Sequence, residues 1–101
     1  MNSPYIVELT RFAEEDFAAL DHSLRILALK QLRKLERNPL AGKPLGHKFG
    51  YDLSGYRSLY FGGKRYRIVY RLDDEARRVT VVAIGKKAKF EAYRRAAERE
   101  A

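Results

Sequence analysis

Residues 56–72 read YRSLYFGGKRYRIVYRL. Polarity changes at nearly every second residue, which is the period of a β-strand. Gly62-Gly63 interrupts the alternation and marks a hairpin, because the primed turns that join strands need positive φ. A two-residue turn sets Tyr60 opposite Arg65 and Ser58 opposite Arg67. Leu59, Phe61, Tyr66, Ile68 and Tyr70 then share one face, suited to a core. Ser58, Tyr60, Arg65, Arg67 and Arg71 share the other, and Arg57 points coreward at the strand's start, snorkelling from an edge. A three-residue loop would instead set Arg57 beside Arg67, and a one-residue slip exchanges the faces. The stretch carries four arginines, one lysine and four tyrosines. Like charges side by side across a strand pair repel by a few tenths of a kcal/mol or more. A face of this kind, with Lys86 and Lys87 near it, calls for a counter-charge from an acidic segment or a ligand.

Outward from this hairpin the pattern is α+β. Residues 77–85 (RRVTVVAIG) are nearly continuous and β-branched, as in a strand covered on both faces. Upstream, YIVEL (residues 5–9) is a short apolar strand. Thr10 can cap a helix on which Ala13, Phe17 and Leu20 fall on one side, with Glu14, Glu15 and Asp16 as its solvated acidic start. Asp21 or Ser23 can cap a second helix carrying Leu24, Leu27, Ala28, Leu32 and Leu35 as its stripe. Asn38-Pro39 ends it. NPLAGKPLGHKFGYDLS (residues 38–54) reads as a loop tacked to the core by Leu40, Leu45 and Phe49. A last helix carries Phe90, Tyr93 and Ala97 inward, with Arg94, Arg95, Glu98 and Arg99 outside. The expected order is βααβββα: an N-terminal strand, a two-helix antiparallel hairpin on a twisted, mostly antiparallel four-stranded sheet, and a C-terminal helix.

A chain of 101 residues is read as one domain, residues 1–101. It has no cysteine, so disulfides and thiolate metal sites are excluded. No apolar run approaches the ~20 residues of a membrane span, and residues 1–12 lack the layout of a secretory signal. A cytoplasmic protein with no membrane partner is expected. The net charge of +8 and a pI near 9.9 favour a polyanionic partner. His22 and His47 stand far apart with no HxxxH or HxH spacing, so no metal site is expected. FGGK is a hairpin turn, not a phosphate-binding loop. No Ser/His/Asp arrangement suggests nucleophilic catalysis. What remains is a set of Arg, Lys and Tyr. Such groups can cleave RNA without a metal or other cofactor, by stabilising the dianionic phosphorane formed when a ribose 2′-OH attacks its phosphate. Tyrosine can also stack on a base.

LSGYRSLYFGGKRYRIVYRLDDEARRVTVVAIGKK (residues 53–87) followed by FEAYRRA (residues 90–96) resembles the RelE branch of the RelE/ParE superfamily of type II toxin–antitoxin toxins. The likeness rests on the Tyr66–Tyr70 strand, the Val81–Lys87 strand end and Tyr93, and spans nearly the whole chain. It implies a microbial-RNase-like fold and a ribosome-dependent mRNA endonuclease leaving a 2′,3′-cyclic phosphate. By the same resemblance, Arg67, Lys87 and Tyr93 are candidate catalytic residues, with Arg57 or Lys64 as substitutes for lysines that active members carry on the strand before the hairpin turn. Here those positions fall on Arg57, Ser58 and Tyr60, and arginine is a poor base because its pKa exceeds 12. Tyr60, Lys64, Arg65, Arg71 and Lys86 are candidate RNA-binding residues. The implied partners are the ribosome and mRNA, a cognate antitoxin with an acidic or amphipathic segment, and operator DNA through the antitoxin complex. The alternatives are a non-catalytic ParE-like inhibitor of DNA gyrase and a degenerate member that only binds its antitoxin.

Overall fold

The computed structural model describes residues 4–101; the reading of the extreme N-terminus falls partly on residues 1–3, outside the described residues. Strand β1 (Ile6–Leu9) leads into helices α1 (Arg11–Ala19) and α2 (His22–Arg37). Both helix starts are fixed by their side chains. Thr10 Oγ1 accepts the Ala13 N–H at 3.2 Å, and Asp21 Oδ1 accepts the Leu24 N–H at 2.9 Å. Asn38, held off the helical region before Pro39, ends α2.

Residues 43–52 contain three two-residue strands: β2 (Lys43–Pro44), β3 (His47–Lys48) and β4 (Tyr51–Asp52). The long strands are β5 (Tyr56–Phe61), β6 (Tyr66–Asp73) and β7 (Arg78–Lys86). A short 3₁₀ turn (Ala88–Phe90) precedes α3 (Glu91–Arg99). The main sheet runs β1-β7-β6-β5-β2, with β1 parallel to β7 and the other pairs antiparallel, and β3-β4 form a separate hairpin. The four expected strands are present. β2 adds a fifth, and the segment read as plain loop carries it, because two residues are too few to show a period.

Phe61 pairs with Tyr66, so four residues make the turn, and Tyr60 stands opposite Arg67 where a two-residue turn would set Arg65. Gly62, Gly63 and Lys64 all have positive φ (63°, 63° and 69°). The register is two positions from the expected one. Side chains alternate with period two, so this shift changes partners and keeps the faces.

The first face packs Leu59, Phe61, Ile68, Tyr70, Val79, Val81 and Ile84 against Ala13 of α1 and Ala28, Leu32 and Leu35 of α2. Each large aliphatic side chain buried there stabilises by about 1.5–3 kcal/mol. The second face is not left to solvent: Val69, Val82 and Ala83 lie under Ala92, Tyr93 and Ala96 of α3, with Leu45 and Leu53 beside them. A register shift at Val69/Tyr70 makes Val82 an extra residue, so Val82 and Ala83 both meet α3. Of the three tacking residues, Leu45 is buried while Leu40 and Phe49 are exposed.

Asp16 corrects the reading of α1. It is buried, unlike Glu14 and Glu15. β1 accompanies β7 only as far as Val81, and past that point Asp16 Oδ2 accepts the Ile84 N–H at 2.9 Å. Arg99, read as outward-facing, donates to both Asp16 carboxylate oxygens (2.7 and 3.0 Å) and to the Val82 carbonyl. Arg95, likewise read as outward, donates to Asp16 Oδ1 at 3.3 Å and to the Ile84 carbonyl at 2.7 Å. Side chains thus continue the ladder along β7 and hold α3 to the sheet.

Candidate functional site

With α3 covering the middle of the second sheet face, that face is open only at its ends. At one end Arg71 meets Glu100, Nε to Oε1 3.3 Å, and Tyr56 donates to the same carboxylate at 2.7 Å. Burial, then the Glu100 bond, pushes the Tyr56 phenol up to about 12. Arg71 therefore has its counter-charge within the fold.

At the other end lies a cleft of about 530 Å³. Arg67 from β6, Lys87 just past the end of β7 and Tyr93 from α3 all line it. So do Ser58 and Tyr60 of β5 and Lys64 of the turn. Arg67 Nη1 donates to the carbonyls of Lys64 (2.8 Å) and Tyr66 (3.1 Å), which aims the guanidinium along the turn. Its carbon sits 5.4 Å from the Tyr60 ring centroid, and the Lys64 ammonium sits 5.3 Å from the same centroid. The Tyr93 hydroxyl lies 3.5 Å from Ser58 Oγ. Lys87 is placed by its own backbone, whose N–H bonds the Arg65 carbonyl at 2.8 Å. Beyond the β2 pairing, the exposed Tyr60 carbonyl accepts from Gln31 Nε2 at 2.7 Å, which ties α2 to the cleft.

Arg65 and Lys86 line a neighbouring cleft of about 740 Å³ that shares Lys64 and Lys87 with the first. Arg57 is not part of either. It lies opposite Tyr70 on the face toward the helical hairpin and donates to the Gly42 carbonyl at 2.7 Å. Tyr70 in turn accepts the Gly42 N–H (2.9 Å) and donates to the Pro39 carbonyl (2.7 Å). Burial pushes the Tyr70 phenol up, against the opposing pull of the Gly42 N–H and the Arg57 charge. The role of Arg57 here is to hold the chain that delivers β2.

Four polar residues that the sequence did not mark as candidates also line the first cleft: Gln31 and Lys34 of α2, Lys43 of β2 and Lys48 of β3. Lys43 is paired with Ser58. The strand before the hairpin turn lacks lysine, and lysines reach the same cleft from three other elements. Phe49 also lines it. It occupies the β3–β4 turn at φ 52°, followed by Gly50 at φ 84°. Phe90 sits at φ 57° before α3, and the two rings stack with centroids 3.5 Å apart and planes at 16°. A left-handed non-glycine residue costs about 1–2 kcal/mol. One stacked pair returns about 0.5–1.5 kcal/mol, so the stack offsets only part of the strain of the two residues. No Asp or Glu is among the residues lining either cleft.

Chemically, convergent guanidinium and ammonium groups with a phenol and no carboxylate can accept an anionic group such as a phosphate diester. Among the described residues no three His, Cys, Asp or Glu side chains gather as a metal group, and no helix is long and apolar enough to cross a membrane.

Comparison with solved structures supports the fold assignment. The toxin–antitoxin complex RelBE2 of Mycobacterium tuberculosis contains a chain 32% identical to this one, covering 87% of this chain and 97% of that one, with a TM-score of 0.70. A mutant of the E. coli toxin RelE in the free state is 24% identical, covers 95% and 97%, and has a TM-score of 0.75. The archaeal RelE–RelB complex from Pyrococcus horikoshii shares the fold at 12% identity and TM-score 0.65, covering 85% and 98%. No curated protein is significantly similar in sequence. Residues 7–89 match the model of the ParE toxin of the type II toxin–antitoxin system parDE. The matching model is named for ParE and the solved relatives for RelE, so what they share is the superfamily. With four-fifths of its length in that model, the chain belongs to the ParE toxin family and is a toxin of the RelE/ParE superfamily of type II toxin–antitoxin systems.

Proposed function

We propose that this toxin is a metal-independent, ribosome-dependent mRNA endoribonuclease that inhibits translation. The observation that carries the reading is that Arg67, Lys87 and Tyr93, from three separate elements, line one cleft without a carboxylate. In the proposed reaction a ribose 2′-OH attacks the adjacent phosphorus. The O2′–P bond forms, the P–O5′ bond breaks, and a 2′,3′-cyclic phosphate results. The proton lost from O2′ is taken up by a base, and the O5′ leaving group receives one. Arg67 and Lys87 stabilise the charge on the phosphorane oxygens. Tyr93, hydrogen-bonded toward Ser58, orients the ribose or stacks on a base. With Arg57 facing the other way, a cleft lysine exchanges the proton: Lys64, or one of Lys34, Lys43 and Lys48 from outside the hairpin.

The proposed partners are the ribosome with its mRNA and a cognate antitoxin whose acidic or amphipathic segment covers the cationic end. Relatives solved with antitoxins include RelBE2 of M. tuberculosis and RelBE of E. coli. Operator DNA would be met through that complex, and the proposed location is the cytoplasm. The matched ParE model favours a second reading, a non-catalytic toxin that blocks DNA gyrase. Wild type and Arg67→Ala expressed in a translating cell extract separate the two. Codon-phased cuts seen by primer extension with wild type, absent in Arg67→Ala, support the nuclease. Intact mRNA with lost DNA supercoiling supports the second reading, and neither effect marks a degenerate member.

A further inference from the structure

We propose that the Phe49–Phe90 stack is a nucleobase platform that seats a base of single-stranded RNA beside the phosphate taken by the Arg67 cleft. The inference rests on the RNA reading above and adds residues that the reading does not need. Phe49 lines the first cleft and Phe90 the second, and Lys64 and Lys87 line both. The stack therefore stands where the two clefts meet.

Its exposure does not fit a packing role. Phe49 is 53% exposed and Phe90 39%, while Leu45 and Leu53 of the same segment are 8% and 1% exposed. A two-residue β3–β4 turn with positive φ at both positions accepts Asn or Gly without strain, yet a phenylalanine occupies it. Tyr93 lies 5.8 Å from Phe49 at 30°, extending the aromatic surface toward Arg67's cleft.

Charge restricts the occupant to an anionic partner, and the flat stacked rings favour a nucleotide over an acidic peptide. The two clefts are lined by nine cationic side chains and no carboxylate. A purely apolar partner would leave these cations without a counter-charge. A nucleotide strand supplies phosphates to them and flat π-faces to the rings at once. The 3.5 Å ring spacing is close to the ~3.4 Å rise between stacked bases, so a base can continue the stack.

The test uses the full chain and a short single-stranded RNA carrying one 2-aminopurine, whose emission is quenched by stacking. Wild type is expected to bind and quench. Phe49→Leu and Phe90→Leu, each checked for native circular dichroism, are expected to lose the quench and weaken binding about ten-fold. Their dependence on salt is expected to stay that of wild type. Phe49→Trp keeps both signals. Arg67→Ala keeps the quench and flattens the salt dependence. Leucine variants that bind and quench like wild type overturn the platform. Wild type that cleaves mRNA on ribosomes yet shows no quench removes the platform and leaves the nuclease standing. Quenching by a wild type that never cleaves leaves the platform and removes the nuclease.

Discussion

Arg67 and Tyr60 are partners across β5 and β6, and the Arg67 guanidinium stands 5.4 Å from the centre of the Tyr60 ring. The strand register thus sets a cation on an aromatic face at the mouth of the cleft. Tyr60→Leu removes a cation–π contact worth about 0.5–1 kcal/mol at an exposed site and is expected to weaken RNA binding two- to five-fold. Arg67→Ala is expected to lower the slope of log K against log salt by about 0.7, one phosphate contact on a single strand. Fluorescence anisotropy across a salt series measures both, and an unchanged slope in Arg67→Ala would remove Arg67 from the phosphate.

The Asp16 network makes a stability prediction. Asp16→Ala leaves Arg99 without its carboxylate, Arg95 with the Glu91 carboxylate alone, and the Ile84 N–H without its acceptor. Breaking a buried pair from one side costs about 3–5 kcal/mol, and the partly exposed Arg95 places the expectation at the lower end. Urea denaturation should show a lower midpoint with an unchanged slope. A loss below about 1 kcal/mol would mean that α3 is held by apolar contact alone.

Gly42 joins stability to the cleft. A Cβ there would stand 2.7 Å from Tyr70 Oη and 2.9 Å from the Ser58 carbonyl, so Gly42→Ala must force apart Tyr70, β5 and the segment that leads into β2. Tyr70→Phe leaves the Gly42 N–H and the Pro39 carbonyl without their partner, at about 1–3 kcal/mol. Both variants are expected to lower the thermal midpoint and weaken RNA binding, because Lys43 follows Gly42 into the cleft. Full RNA binding by Gly42→Ala would disconnect β2 from the site.

Tyr56 sets an alkaline limit. Its phenol, ordinarily near 10, is pushed up to about 12 by burial and by Glu100. The folded state therefore favours the neutral phenol. That contribution is complete below pH 10 and is lost as pH rises to about 12. Wild type is expected to lose stability across this window, and Tyr56→Phe to lose less of it. Part of the loss remains in the variant, since Tyr70 is also shifted upward. Chemical denaturation at pH 9, 10 and 11 gives the comparison, and parallel curves for the two proteins would contradict it.

The local signals of the sequence hold where neighbours in the chain settle the structure. Thr10 and Asp21 cap their helices as their side chains allow, and Pro39 stops α2. Alternation in residues 56–72 sorts the two sheet faces even with the turn two residues longer than expected, since the sorting depends on parity alone. Arg67, Lys87 and Tyr93 meet at one cleft because β7 pairs with β6, Gly85 opposite Arg67, and α3 folds back onto the same face. Asp16 could not be told from Glu14 and Glu15, because its partners are on α3, more than seventy residues on. Nor could Lys43, Lys48 and Phe49 be assigned to the site. Their segment has no period of its own and takes its place through distant partners: β5 beside β2, Arg57 and Tyr70 on Gly42, and Phe90 under Phe49. Periodicity and capping chemistry, being short-range, determined the elements and their apolar sides. Which charges find a carboxylate inside the fold and which do not was decided by tertiary packing, since only contact between distant segments brings a carboxylate to Arg99 and none to Arg67.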